Sequence, residues 1–176
     1  MNTPAGMALA GLLMLATAGQ AIGAPDRCQP HQWPPKARSV VALKEGELRL
    51  LSQTIYAEAR GEPDAFCSMA AVAFVVVNRM RDPQRRFGGS LKAVVHQPAQ
   101  FSVWNGNRTK LLAVGPSDPS FVLAQLAAAA VLTGTIADPT NGAMHFVNTS
   151  IPAPPWARRM KLAAVIGQHR FFKADN

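Results

Sequence analysis

The chain has 176 residues, 48% of them hydrophobic and 16% charged, which supplies one buried core and is too apolar for an intrinsically disordered chain. Eighteen Lys and Arg against ten Asp and Glu leave a formal charge of +8. That balance favours a polyanionic partner such as nucleic acid, an anionic membrane or an acidic polymer. Length excludes a multidomain machine, and composition excludes a polytopic membrane protein.

Residues 1–24 carry no charged side chain, and Ala8 to Ala18 form a short apolar run followed by small residues as far as Ala24. The run is too short and too rich in Ala and Gly for a spanning helix, which needs about 20 solidly apolar residues. It reads as a signal peptide cleaved near Ala21 or Ala24, with a retained weak N-terminal anchor as the alternative. Either places the protein in the periplasm, the cell wall or the extracellular space. Residues 25–43 form a Pro-rich arm (Pro30, Pro34, Pro35) expected to be irregular. Cys28 in this arm and Cys67 beyond it fit an oxidising compartment. A bridge between them would tie the arm to the core, and the other reading is a buried free thiol at Cys67.

The single folded domain spans 44–176. Leu48, Leu51 and Ile55 recur at helical steps from Lys44 to Ala59, and Gly61 and Pro63 end the pattern. Phe66 to Met80 is apolar all round until Asn78-Arg79, which predicts a buried central helix. Arg81 to Gly89 reads as a basic loop, and Ser90 to Val95 as one or two helical turns. Asp118-Pro119 predicts the start of a helix running to Leu132, closed by Gly134. Met144 to Val147 alternates as a strand does. A short basic helix is expected over Ala157 to Leu162, and a strand over Ile166 to Phe172 that pairs with the first. The fold class is therefore mainly α, in the α+β sense, with a small β element near the C-terminus.

Glu58 is the residue with the most chemistry to offer. It lies three residues after Ile55 and seven after Leu51, on the buried stripe of its helix. A carboxylate against apolar neighbours loses solvation and holds its proton, as a general acid must when the leaving group is a glycosidic oxygen. The bland alternative is a helix-end carboxylate paired with Arg60. Glu62, beside Gly61 and Pro63, is expected to be exposed or to cap the helix. The segment from Gln97 to Asn105 places amides, a hydroxyl and two aromatics in a loop, a set suited to sugar: aromatic faces stack on pyranose rings and amides bond their substituents. The same residues could simply anchor the loop in the core, Phe101 above all. His145 and Trp156 admit the same two readings. No zinc spacing, HExxH, GxSxG, Walker loop or GxGxxG occurs, so neither a metal nor another cofactor is expected.

Four stretches in order carry a resemblance: Tyr56-Ala57-Glu58-Ala59-Arg60-Gly61-Glu62; the apolar helix ending Val77-Asn78-Arg79; Gln97-Pro98-Ala99-Gln100-Phe101-Ser102; and Pro155-Trp156-Ala157-Arg158. From about Leu48 to Phe172 the chain resembles the SleB-type cell wall hydrolase family. The resemblance implies a lysozyme-like, lytic-transglycosylase-like fold and peptidoglycan as substrate. It also implies a lytic transglycosylase or muramidase acting on the MurNAc–GlcNAc bond, with Glu58 in the place of the family's catalytic glutamate. Gln100, Phe101 and Ser102 match the loop that lines the family's saccharide groove. Trp104, His145 and Trp156 complete the expected substrate contacts. Peptidoglycan strands are the expected partner, with no nucleic acid, no stable protein partner and a monomeric state. A non-catalytic peptidoglycan-binding protein is the alternative from another class.

Overall fold

The computed structural model of the chain describes Cys28, residues 43–106 and residues 109–174. The expected signal peptide and nearly all of the Pro-rich arm lie outside the described residues. Helix α1 runs Glu45–Ala59, with Glu45 and Glu47 in its first turn, where the helix dipole favours acids. Its Leu51 and Ile55 have no exposed surface. Helix α2, Ala65–Met80, starts at Asp64, whose carboxylate accepts from the Cys67 amide at 3.4 Å. Cys67 through Val77 is buried on every side. A helix without a polar face must be enclosed, and α1, the short α3 (Leu91–Val95) and the later α5 (Pro119–Thr133) surround it together with part of the sheet. A one-turn helix α4, Thr109–Leu112, which the pattern did not suggest, comes before α5.

The α5 cap is the one expected from Asp118-Pro119. The Asp118 Oδ1 accepts from the amides of Ser120 (2.8 Å) and Phe121 (3.3 Å), and Gly134 ends the helix in the left-handed region at φ 69°. Its other oxygen accepts from the Tyr56 hydroxyl at 2.7 Å, so one carboxylate both starts α5 and fastens it to α1. That bond, made by the ionised form, holds the Asp118 carboxyl below the usual carboxylate range and raises the Tyr56 phenol. The small buried Ala124, Ala127 and Ala128 let α5 approach α1 and α2 closely.

The last third of the chain forms an antiparallel sheet in the order β1-β3-β2, with β1 His145–Asn148, β2 Lys161–Ile166 and β3 His169–Lys173. The pairing of the first strand with the last is as expected, with His145 opposite Phe172. The basic helix over Ala157 to Leu162 is replaced by a 3-10 turn at Ala157–Arg159, and Lys161 onward is strand. The hydrogen-bonding edge of β3 decides this: Lys161 and Leu162 pair with Lys173 and Phe172, an option that local helix propensity cannot weigh. Gly167 is correspondingly the hairpin turn rather than an interior strand position.

Glu62 differs from expectation as well. Its side chain is only 7% exposed; it accepts from the Gln168 amide at 2.6 Å and lies 3.7 Å from Nδ1 of the buried His169. Burial pushes the His169 imidazole down, and the Glu62 carboxylate opposes this without overcoming it. The β2–β3 turn, more than a hundred residues later in sequence, thus folds over the end of α1 and encloses the acid. Gly167 makes that approach possible. Its φ is +54°, and a Cβ there would meet Ser68 Oγ and, at 2.6 Å, Glu62 Oε2. Gly167→Ala is expected to destabilise by at least about 1–2 kcal/mol from the left-handed backbone alone. A urea titration with an unchanged slope and a lower midpoint would show it.

Candidate active site

The end of α1 carries Glu58 to the wall of a cleft of about 720 Å³. The register that buries Leu51 and Ile55 turns Glu58 half inward, and its Oε1 is closed off from solvent. Of the residues expected from sequence, Gln100, Ser102, His145 and Trp156 share this cleft with it. The chain brings together the end of one helix, a loop, a strand and the turn before β2, separated by as many as about a hundred residues.

The loop holding Gln100 and Ser102 is braced from within. Ala99 adopts φ +61°, an uncommon conformation for a residue with a Cβ. Asn105 secures it: its Oδ1 accepts from the Ala99 amide at 3.3 Å and its Nδ2 donates to the Phe101 carbonyl at 3.2 Å. Ser102 then begins a 3-10 turn and is exposed to the cleft.

Two of the expected contacts face elsewhere. Phe101 has no exposed surface and lies in the core, tilted on Phe146 at 6.4 Å. Trp104 turns toward α1, donating its indole N–H to Thr54 Oγ1 at 3.0 Å and meeting His96 at 4.7 Å. Neither lines the cleft. Both aromatics serve the loop rather than its surface, because a short loop next to three helices is held most effectively by buried rings.

His145 stands on β1 between Phe87 (5.6 Å) and Trp156 (5.5 Å), and Trp156 in turn meets Phe172 edge-on. Burial, then the charges of Arg79 and Arg86, lower the His145 imidazole to about 4. It is therefore neutral at pH 7, a hydrogen-bonding group rather than a cation or a strong acid. Arg79, from the last turn of α2, is a cleft residue that the sequence marked only as the end of a helix. Its neighbour Asn78 bonds Asp138 Oδ2 (2.9 Å) and the Ala143 carbonyl (3.0 Å), while Arg79 Nε donates to the Met144 carbonyl at 2.7 Å. Two successive residues thus fasten the segment leading into β1, which brings His145 and Phe146 to the cleft that Glu58 also lines. Phe87, Phe146 and Met160 also line the cleft and were not singled out from sequence. Nothing local distinguishes them from core residues.

The described aspartates are occupied elsewhere. Asp64 caps α2 and Asp118 caps α5. Asp82 is held at about 2 chiefly by Arg86, which reaches it through Nε at 2.9 Å and Nη2 at 3.1 Å. Asp138 accepts from Asn78, Thr140 and Gly142. Among the described residues, Glu58 is the only carboxylate lining the cleft. Among the described residues, no group of three His, Cys, Asp or Glu side chains could hold a metal, and no helix is long and apolar enough to cross a membrane.

The profile of the cell wall hydrolase family matches residues 62–172. The spore cortex-lytic enzyme of Bacillus subtilis (strain 168) is 29% identical over 130 residues, 73% of this chain and 38% of that protein. The spore cortex-lytic enzyme of Halalkalibacterium halodurans is 29% identical over 149 residues, 84% of this chain and 41% of that protein. The chain thus spans about two fifths of the length of these relatives. The catalytic domain of the germination-specific lytic transglycosylase SleB from Bacillus anthracis superposes with a TM-score of 0.61 at 23% identity, covering 75% of this chain and 98% of that domain. The Bacillus cereus SleB catalytic domain gives the same score and identity over 80% and 95%. These two likenesses establish the fold.

Proposed function

The chain belongs to the cell wall hydrolase family, as its four motifs suggested, and from that premise we propose that it cleaves peptidoglycan glycan strands at the MurNAc–GlcNAc bond with Glu58 as sole general acid and base. The observation that carries this is the placement of Glu58 as the one carboxylate of the cleft among the described residues, facing the amide, hydroxyl and aromatic groups of Gln100, Ser102 and Trp156. Glu58 in its acid form gives its proton to the bridging oxygen as the C1–O bond of MurNAc breaks and positive charge develops at C1. The GlcNAc end leaves with a new hydroxyl. The Glu58 carboxylate then takes the proton of the MurNAc 6-hydroxyl, whose oxygen attacks C1 and closes a 1,6-anhydro ring. A tethered hydroxyl needs no second carboxylate to position it, because its effective concentration is already high. Hydrolysis would call on a second carboxylate as nucleophile or water-activating base. The names of the relatives, spore cortex-lytic enzyme and lytic transglycosylase, point the same way.

The protein acts outside the cytoplasm as a monomer without cofactor, its first 24 residues serving as an export signal. The net charge of +8 draws it to an anionic wall, an attraction that salt weakens. Digesting purified sacculi and weighing the released muropeptides tests the reaction. Anhydro-MurNAc ends, one water lighter than reducing ends, are expected. Reducing ends would replace the transglycosylase with a muramidase, and sacculus binding without any release would leave a non-catalytic wall-binding protein.

A further inference from the structure

Arg79 is only 4% exposed, and that remnant belongs to the wall of the cleft that Glu58 also lines. Its guanidinium sits over the rings of Phe87 (4.8 Å) and Phe101 (5.4 Å). Of its five N–H donors, the structure uses the one on Nε, given to the Met144 carbonyl at 2.7 Å. Nη1 is buried with no hydrogen-bond partner, and the ion pairs among the described residues leave Arg79 out. The nearby Asp82 is engaged by Arg86. A desolvated cation with idle donors on the wall of a cleft asks for an acceptor that the protein itself does not supply.

We propose that Arg79 is a substrate-binding residue whose free guanidinium edge takes the acetamido carbonyl of an N-acetylated sugar, making the cleft selective for N-acetylated strands. This rests on the proposed action on glycan strands and deepens it. An amide carbonyl is the strongest neutral acceptor that each unit of such a strand offers. It meets the buried guanidinium without the desolvation that a second charge would suffer. Burial brings Arg79 down to about 10, so it remains charged at any pH where the enzyme would work. The contact shares the cleft with His145 and the braced loop, so it would fix the ring's rotation and thereby which oxygen meets Glu58.

The experiment is equilibrium binding of the N-acetylglucosamine tetramer and of its de-N-acetylated form, above the pKa of the freed amines, to Glu58→Gln protein and to Glu58→Gln with Arg79→Lys. The single variant is expected to prefer the acetylated tetramer by about tenfold or more, the scale of one well-made charged hydrogen bond. Arg79→Lys, which keeps the charge and loses the planar fork, is expected to bring the two ligands to within about twofold. Equal binding of both by Glu58→Gln, no binding of either, or a preference unchanged by Arg79→Lys each overturns the assignment. Should Arg79→Lys not fold, the guanidinium NMR signals of Arg79 in Glu58→Gln protein decide: a shift on adding the acetylated tetramer supports the contact and none refutes it. Acetyl-selective binding without muropeptide release from the unmutated protein would leave the Arg79 site standing and sink the reaction. Release without selectivity would do the reverse.

Discussion

Glu58→Gln is expected to lower muropeptide release by about 10²–10⁴-fold, the range carried by a positioned general acid or base, while leaving sacculus binding nearly intact. The two effects separate because the amide keeps the shape and most hydrogen-bonding capacity of the carboxyl but has no proton to give at the bridging oxygen. Half of Glu58 is already withdrawn into the end of α1, whose buried stripe fixes its direction, so the substitution leaves the packing of Leu51 and Ile55 untouched. Release and binding measured on one preparation, with circular dichroism to show an unchanged fold, read the result directly. Equal loss of binding and release would mean that the substitution had damaged the groove. Unchanged release would assign the chemistry to another group and overturn the role of Glu58. None of the described aspartates is available without first giving up a structural task. Asp64, Asp118 and Asp138 would leave backbone amides unsatisfied, and Asp82 would leave Arg86 unpaired.

Removal of the Cys28–Cys67 disulfide is expected to cost about 2–4 kcal/mol of stability, the upper figure being the chain-entropy value for a closed loop of this length. The bridge spans 39 residues, and both half-cystines are buried in the main core. Cys67 lies in the first turn of α2, immediately after the Gly61–Pro63 turn that follows Glu58. The disulfide therefore fastens the segment before α1 to the start of α2, close to the end of α1 that carries Glu58. Guanidinium titrations of the oxidised protein, the reduced protein and Cys28→Ser/Cys67→Ser would measure the effect. Oxidised protein no more stable than the double variant would remove the bridge from any account of stability. A thiol pair left reduced in protein isolated from cells would count against export to an oxidising compartment.

The helical part of the molecule was legible because its signals are local. The step of Leu51, Ile55 and Glu58, the Asp118-Pro119 cap and the Gly134 stop each operate within a turn or two. The sheet was half legible. The pairing of β1 with β3 follows from alternation and aromatic content, but β2 begins where the sequence suggests a helix, since Lys161 and Leu162 answer to partners on β3 rather than to their neighbours. Glu62 read as exposed because Gly and Pro flank it, and it is buried because a hairpin more than a hundred residues later folds onto it.

The cleft divides in the same way. By itself the sequence determined the family, the helical scaffold and the position of Glu58, since motif spacing and helical periodicity are written along the chain. It also collected Gln100, Ser102, His145 and Trp156 as groups of the right chemistry. Only the tertiary structure decided which side chains face the cleft. Phe101 turns into the core, Trp104 packs against it beside α1, and the buried Arg79 reaches the cleft wall, because the direction of a side chain on a loop or a last helical turn depends on what packs against it from elsewhere. The burial of Arg79 between Phe87 and Phe101, with most of its donors idle, is a property of three segments meeting, and no one of them carries it alone.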